Sequence, residues 1–190
     1  MAIKTRQLTE DGFEMQVGTN HLGHFYLTQL LSDILKKTPQ SRVINVSSSA
    51  HRFPRKEINL STLMNQETYS PWPQYGKTKL LNIYFSQLIF SKYGVKSVSL
   101  HPGAVRTELL RNTVNNIFMK IFFVIIYPFW WFFSKNCVQG AQTTLQCALI
   151  PYESLENGKF YADCKVASTT SLAVQPGEAE KAWNWSVNMI

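Results

Sequence analysis

Apolar residues between Thr9 and Lys37 recur at helical spacing: Phe13, Val17, Leu22, Phe25, Leu27, Leu30, Leu31, Ile34 and Leu35. With Asp11 near its start and Lys36–Lys37 at its end, complementing the helix dipole, this stretch predicts a helix that Pro39 stops. Arg42-Val-Ile-Asn-Val-Ser-Ser-Ser49 is short, β-branched and bounded by polar residues, which predicts a buried strand. A polar, proline-containing loop runs to Pro73. The helical period then returns from Tyr75 to Tyr93, with Leu80, Leu81, Ile83, Tyr84, Leu88 and Ile89 apolar and Gly94 as terminator. Lys96–His101 predicts a second strand, cut off by Pro102-Gly103, and Gly158–Ala162 a third. Helices are expected from about Val138 to Leu149 and from Gly177 to Val187. Alternating helices and strands of this kind imply an α/β layer fold around a parallel sheet.

Ile117–Phe133 departs from the pattern: IFMKIFFVIIYPFWWFF, broken only by Lys120 and Pro128. Its uninterrupted apolar part falls short of the ~20 residues a spanning helix needs. A half-exposed lid touching lipid or an apolar ligand suits it better than a core helix.

Composition narrows the function. The 190 residues suit one domain, and 45% hydrophobic with 16% charged residues is globular usage. The net charge of +7 is scattered rather than clustered, so an anionic cofactor or acidic lipid surface fits and nucleic acid is not expected. Three cysteines, Cys137, Cys147 and Cys164, lack paired spacing, which argues against a disulfide framework or structural zinc and for a reducing compartment. Of the N-x-S sequons at Asn45, Asn59 and Asn184, the first lies in a predicted buried strand, so chance sequons in an intracellular protein are expected. His21 and His24 sit one turn apart, but no carboxylate or cysteine motif accompanies them, and a structural role is preferred to metal binding.

Tyr75-Gly-Lys-Thr-Lys79 is the sharpest constellation. A tyrosine and lysine four apart share one helix face, so the ammonium can approach a phenol that normally titrates near ~10 and favour its phenolate. Ser47-Ser48-Ser49 closes the first strand, where strand-end hydroxyls meet the ligand crevice of open α/β sheets. His101-Pro-Gly-Ala-Val-Arg-Thr107 closes the second.

Together with Leu8-Thr-Glu-Asp-Gly-Phe-Glu14, Asn20-His-Leu-Gly-His-Phe25, Gly140-Ala-Gln-Thr-Thr144 and Gly158-Lys-Phe-Tyr161, these phrases resemble the short-chain dehydrogenase/reductase superfamily, close to its retinol dehydrogenase-like branch. The resemblance implies a Rossmann-like, doubly wound parallel sheet in a single domain over 1–190, represented by strands five to seven of the family sheet with their helices. It implies an NAD(P)-dependent oxidoreductase that interconverts an apolar alcohol and a carbonyl, such as a retinoid, steroid or lipid aldehyde. Tyr75 would be the catalytic acid/base. Lys79 would lower its pKa and hold the nicotinamide ribose, and Ser48 would bond the substrate oxygen, with Ser47 and Ser49 as alternatives. Asn20 would support a proton-relay water. Pro102, Gly103, Val105 and Thr107 would border the nicotinamide end of the cofactor, NADP or NAD, with the resemblance inclining to NADP. Residues 112–136 would form the substrate lid.

The sequence holds no G-x-x-x-G-x-G turn and no N-A-G motif. Set against the family, Met1 aligns just beyond the N-A-G position, so about the first third of a typical member is expected to be missing and the first strand to carry an unpaired edge. Lipophilic substrates, peripheral membrane contact through 117–133 and a homodimer are the partners implied, in an intracellular setting, membrane-associated (endoplasmic reticulum-like) or cytoplasmic. The competing expectation is a truncated, non-catalytic fragment or pseudoenzyme acting through dimerisation or membrane association.

Overall fold

The computed structural model describes residues 3–106, 131–132 and 134–190. Its sheet has four strands in the order β1-β2-β3-β4: β1 (Arg42–Val46), β2 (Lys96–His101), β3 (Phe160–Ala162) and β4 (Lys165–Val166). The first three run parallel, with Val46 opposite Leu100 and Ser99 opposite Phe160. β4 returns antiparallel to β3, so the sheet is mixed where the pattern led us to expect parallel strands alone. The return is a two-residue turn in which Asp163 and Cys164 both take positive φ, 49° and 58°. That geometry usually recruits Asn-Gly or Asp-Gly, and Asp-Cys gave no such signal.

The long N-terminal helix expected from Thr9 begins later. Leu8 pairs with Glu14 across a turn at Gly12, and the buried Glu14 carboxylate then caps the helix by accepting the N–H groups of Gln16 and Val17. Phe13 is therefore part of the turn, although its spacing matches the helix. The helix proceeds as α1 (Met15–Val17), a π-helical turn (Gly18–Leu22) and α2 (Gly23–Lys37). Helix α3 (Pro71–Tyr93) gains a turn over its expected start because Pro71 occupies its opening position, where a missing N–H costs nothing. Helix α4 (Cys137–Leu149) opens with an Asn136–Gln139 capping box, and α5 (Glu178–Met189) ends the chain.

Odd and even residues of β2 separate the two layers. Val98 and Leu100 pack with Cys147, Leu155 and Tyr161 on the α4 side. On the other side Phe160 joins Leu80, Leu81, Ile83 and Tyr84 of α3 with Val17, Leu22 and Ala182. Helices thus cover both faces of a partial Rossmann-like α/β sheet. Within the described residues β1 has a partner on one side only. Asn45 is 5% exposed and donates to Ser86 Oγ, which places that sequon in the core as expected.

Candidate active site

The carboxyl end of β1 is tied to α3 by serine. Ser47 N–H continues the ladder to the Leu100 carbonyl at 2.7 Å, and Ser47 Oγ donates to the Lys79 carbonyl at the same distance. Ser48 is extended (φ −161°); its hydroxyl accepts the Ala50 N–H at 3.2 Å, and its side chain lies near enough to the Tyr75 phenol to favour the phenolate. Ser49 is exposed and opens the 3-10 turn Ser49–Arg52. Of the three serines the pattern offered, Ser48 is the one beside the phenol.

Tyr75 and Lys79 share a face of α3, with Lys79 Nζ 5.6 Å from the centre of the Tyr75 ring. The ammonium sits over the ring face and donates to the Val46 carbonyl at 3.0 Å. Lys79 is 7% exposed, and burial draws its pKa down to about 8. Tyr75 shifts upward, since burial outweighs the stabilising effect of Ser48. Lys79, held over the ring face, is not among the causes of that shift.

Asn20 lies in the π-helical turn, and its Nδ2 donates to Thr78 Oγ1 at 3.2 Å, joining that turn to the Tyr75–Lys79 segment. His21 is buried and bonded to Asn82 and Ser186, while the neighbouring His24 is exposed. Metal-sized clusters of histidine, cysteine and acidic residues are absent among the described residues.

Beyond β2, Pro102 and Gly103 are half-buried, and Gly103 has φ +95°, a conformation that favours glycine. A Cβ there would meet the Lys135 side chain at 2.8 Å. Lys135 pairs with Asp163 at 2.5 Å. Val105 forms a parallel bridge to Lys135 and fills the space above Gly140. Thr107 lies outside the described residues, as does most of the 112–136 segment. Of the 117–133 stretch, Trp131 and Phe132 are described; both are exposed, and the Arg106 guanidinium lies 4.8 Å from the Trp131 ring centre.

Two residues of this region had not stood out in the sequence. His51 Nδ1 contacts the Ser48 carbonyl at 2.6 Å, and its ring meets Phe160 edge-on at 4.7 Å. Burial lowers its pKa to about 4. Asn82, one turn beyond Lys79, donates to the Asn20 carbonyl at 2.9 Å. A histidine in a loop and an asparagine in a helix carry no periodic signal, so sequence alone could not single them out.

No protein-family model matches the chain. Among curated proteins it is similar to retinol dehydrogenase 11 of Homo sapiens, 39% identical over 188 residues, an alignment covering 96% of this chain and 55% of that protein. It is similar to retinol dehydrogenase 12 of Mus musculus, 38% identical over 187 residues, covering 96% of this chain and 56% of the relative. A third similarity is to the chloroplastic short-chain dehydrogenase TIC 32 A of Brassica napus, 34% identical over 195 residues, covering 97% of this chain and 59% of the relative. The chain therefore spans about half the length of the curated relatives it matches. A solved structure, the NADPH-bound carbonyl reductase from chicken fatty liver, shares the fold with a TM-score of 0.54 at 18% identity, covering 89% of this chain and 62% of that one.

Proposed function

The chain belongs to the short-chain dehydrogenase/reductase superfamily, in its retinol dehydrogenase-like branch, and from that membership we propose that it serves an NAD(P)-dependent oxidoreductase interconverting an apolar alcohol and a carbonyl. The observation that carries the reading is the placement of the Ser48 side chain beside the Tyr75 phenol, with the buried Lys79 ammonium over the Tyr75 ring. In this reading Tyr75 exchanges a proton with the substrate oxygen, and the Ser48 hydroxyl bonds the same oxygen and fixes its position. Lys79, with a pKa near 8, is mostly cationic at neutral pH and lowers the cost of a transient phenolate. Asn20 holds Thr78, so the α3 turn carrying both groups is braced from the opposite helix. We align β1, β2 and β3 with strands five, six and seven of the family sheet.

The residues present fit the nicotinamide-ribose end of a dinucleotide. A cation and a hydroxyl side by side on α3 suit a ribose diol, and Pro102, Gly103 and Val105, just past the carboxyl end of β2, are assigned in this reading to the border of the nicotinamide. Thr107 belongs to the same motif. None of the 190 residues forms a G-x-x-x-G-x-G turn, so this chain's own side chains fit that end of the cofactor alone. The nicotinamide, when bound, supplies or accepts the hydride. NADP is preferred to NAD in this proposal.

A lipophilic substrate is supported by the aromatic Ile117–Phe133 stretch and the outward Trp131 and Phe132. The same residues support contact with an intracellular membrane surface. No helix among the described residues is long and apolar enough to cross a membrane.

A second reading, a partner-binding chain without turnover, is favoured by the edge of β1 that has no partner among the described residues and by Leu27, Leu30, Leu31 and Ile34, all exposed on α2. Oxidation of NADPH by the purified chain with retinal, and with a small polar aldehyde as control, separates the two. Turnover confined to the lipophilic aldehyde is the expected result. Turnover confined to the polar aldehyde would defeat the lipophilic assignment, and NADPH neither bound nor oxidised would leave the binding reading in front.

A further inference from the structure

Buried polar groups outside the proposed chemistry form a line from α5 to the active-site turn. Ser186, His21 and Asn82 are 0%, 1% and 0% exposed. Ser186 Oγ lies 2.8 Å from His21 Nε2, and His21 Nδ1 lies 3.1 Å from Asn82 Oδ1. Asn82 Nδ2 donates to the Asn20 carbonyl at 2.9 Å and, at a longer 3.4 Å, to the Val46 carbonyl. The Val46 carbonyl is the one that also receives Lys79 Nζ at 3.0 Å.

Donor counting fixes the direction of this line. The Asn20 and Val46 carbonyls can only accept, so the amide end facing them is the NH2, and Oδ1 faces His21. An acceptor oxygen requires a proton on Nδ1. Burial holds the ring near pKa 4, so at neutral pH Nε2 is bare and accepts the Ser186 hydroxyl. That hydroxyl has a second acceptor, the Ala182 carbonyl at 2.8 Å. When the ring is protonated, Nε2–H donates to Ser186 and the hydroxyl turns to Ala182. Nδ1–H persists in both states, so Ser186 absorbs the change and Asn82 does not turn. Around the ring, Phe25 and Phe85 pack at 6.0 and 6.2 Å, and His24 is the titratable neighbour that acts on it.

We infer that Asn82 is a positioning residue of the active site, its amide oriented by His21 Nδ1–H to hold the Asn20 carbonyl, and that α5 joins the site through Ser186. The catalytic consequence rests on the oxidoreductase reading; the hydrogen-bond line does not.

The test uses the 13C,15N-labelled full chain, read by NMR at both His21 ring nitrogens and at the Asn20 main-chain carbonyl carbon. The expected result between pH 6 and 8 is a protonated Nδ1 and a bare Nε2. In Asn82→Asp the carboxylate still accepts from Nδ1–H, and His21 titrates at least about one pH unit higher. The Asn20 main-chain carbonyl loses its donor in that variant, so its carbon resonance moves. A proton on Nε2 alone, or an Asn20 carbonyl carbon indifferent to Asn82→Asp, overturns the inference. Ser186→Ala keeps the question decidable if a buried carboxylate prevents folding: Nδ1 must stay protonated there too, and its loss overturns the inference. Kinetics add a reading that a merely structural role would not give. Asn82→Asp is expected to lower kcat about tenfold with KM unchanged, and an unchanged kcat refutes the positioning role. An inactive parent chain counts against the oxidoreductase reading, while the NMR result decides the hydrogen-bond line by itself.

Discussion

At the carboxyl end of β1, His51 is neutral because its surroundings exclude water, and His21 behind the helix turn is neutral for the same reason. Both are held near pKa 4, against 6.5 when unburied. Between those values the unfolded chain binds more protons than the folded one. Their contribution to stability is therefore complete above about pH 6.5 and lost as pH falls toward 4. Each is worth on the order of 3 kcal/mol at most. Urea midpoints measured from pH 7 to pH 4 should fall across that window, and His21→Gln should flatten the dependence. Tyr75 is the residue whose hydroxyl the proposed chemistry cannot lose. Tyr75→Phe should keep the circular dichroism of the parent and lower any turnover on the order of 10²–10⁴-fold. A variant that retains activity would remove Tyr75 from the acid/base role.

Among the elements, α3 matters most to the site, because it carries Tyr75 and Lys79 and rests on the 3-10 turn that carries His51. The contact between them is close at Gly76, where a Cβ would lie 2.7 Å from the Ala50 carbonyl oxygen and 3.0 Å from Phe53 Cβ. A backbone oxygen cannot swing aside as a side chain can. Gly76→Ala should cost about 1–3 kcal/mol and displace Tyr75 from Ser48, so thermal melting and the Tyr75-dependent activity should fall together. Unchanged melting would show that α3 can shift freely on this turn. The helix was legible in the sequence from the Leu80–Ile89 period. Its close seat on the turn was not, since Gly76 reads in sequence only as the second residue of a Tyr-x-x-x-Lys pair. The π-helical turn at Gly18–Leu22 was equally hidden: one extra residue per turn leaves the apolar period nearly intact while re-aiming Asn20 toward Thr78.

For the whole molecule, the edge of β1 that has no partner among the described residues and the exposed apolar residues of α2 lie on neighbouring surface, where Leu27, Leu31 and Leu35 line a groove with Val43 to Val46. Unpaired strand edges beside apolar surface promote association. The purified chain should show concentration-dependent association by sedimentation, reduced by the double substitution Leu30→Glu and Ile34→Glu; a monomer at all concentrations would contradict this. Periodicity by itself determined the order of the helices and of the three parallel strands, because burying one face of each element dictates where apolar residues recur; the two-residue β4 carried no such signal. Fixed spacing determined that Tyr75 and Lys79 share a face, because 3.6 residues per turn leave no other choice. Only the tertiary structure decided which serine meets the phenol, that burial raises the Tyr75 pKa rather than lowering it, and that His21 and Asn82 stand behind Asn20. Those outcomes depend on which distant groups exclude water or supply a donor, and no local pattern along a chain encodes its distant neighbours.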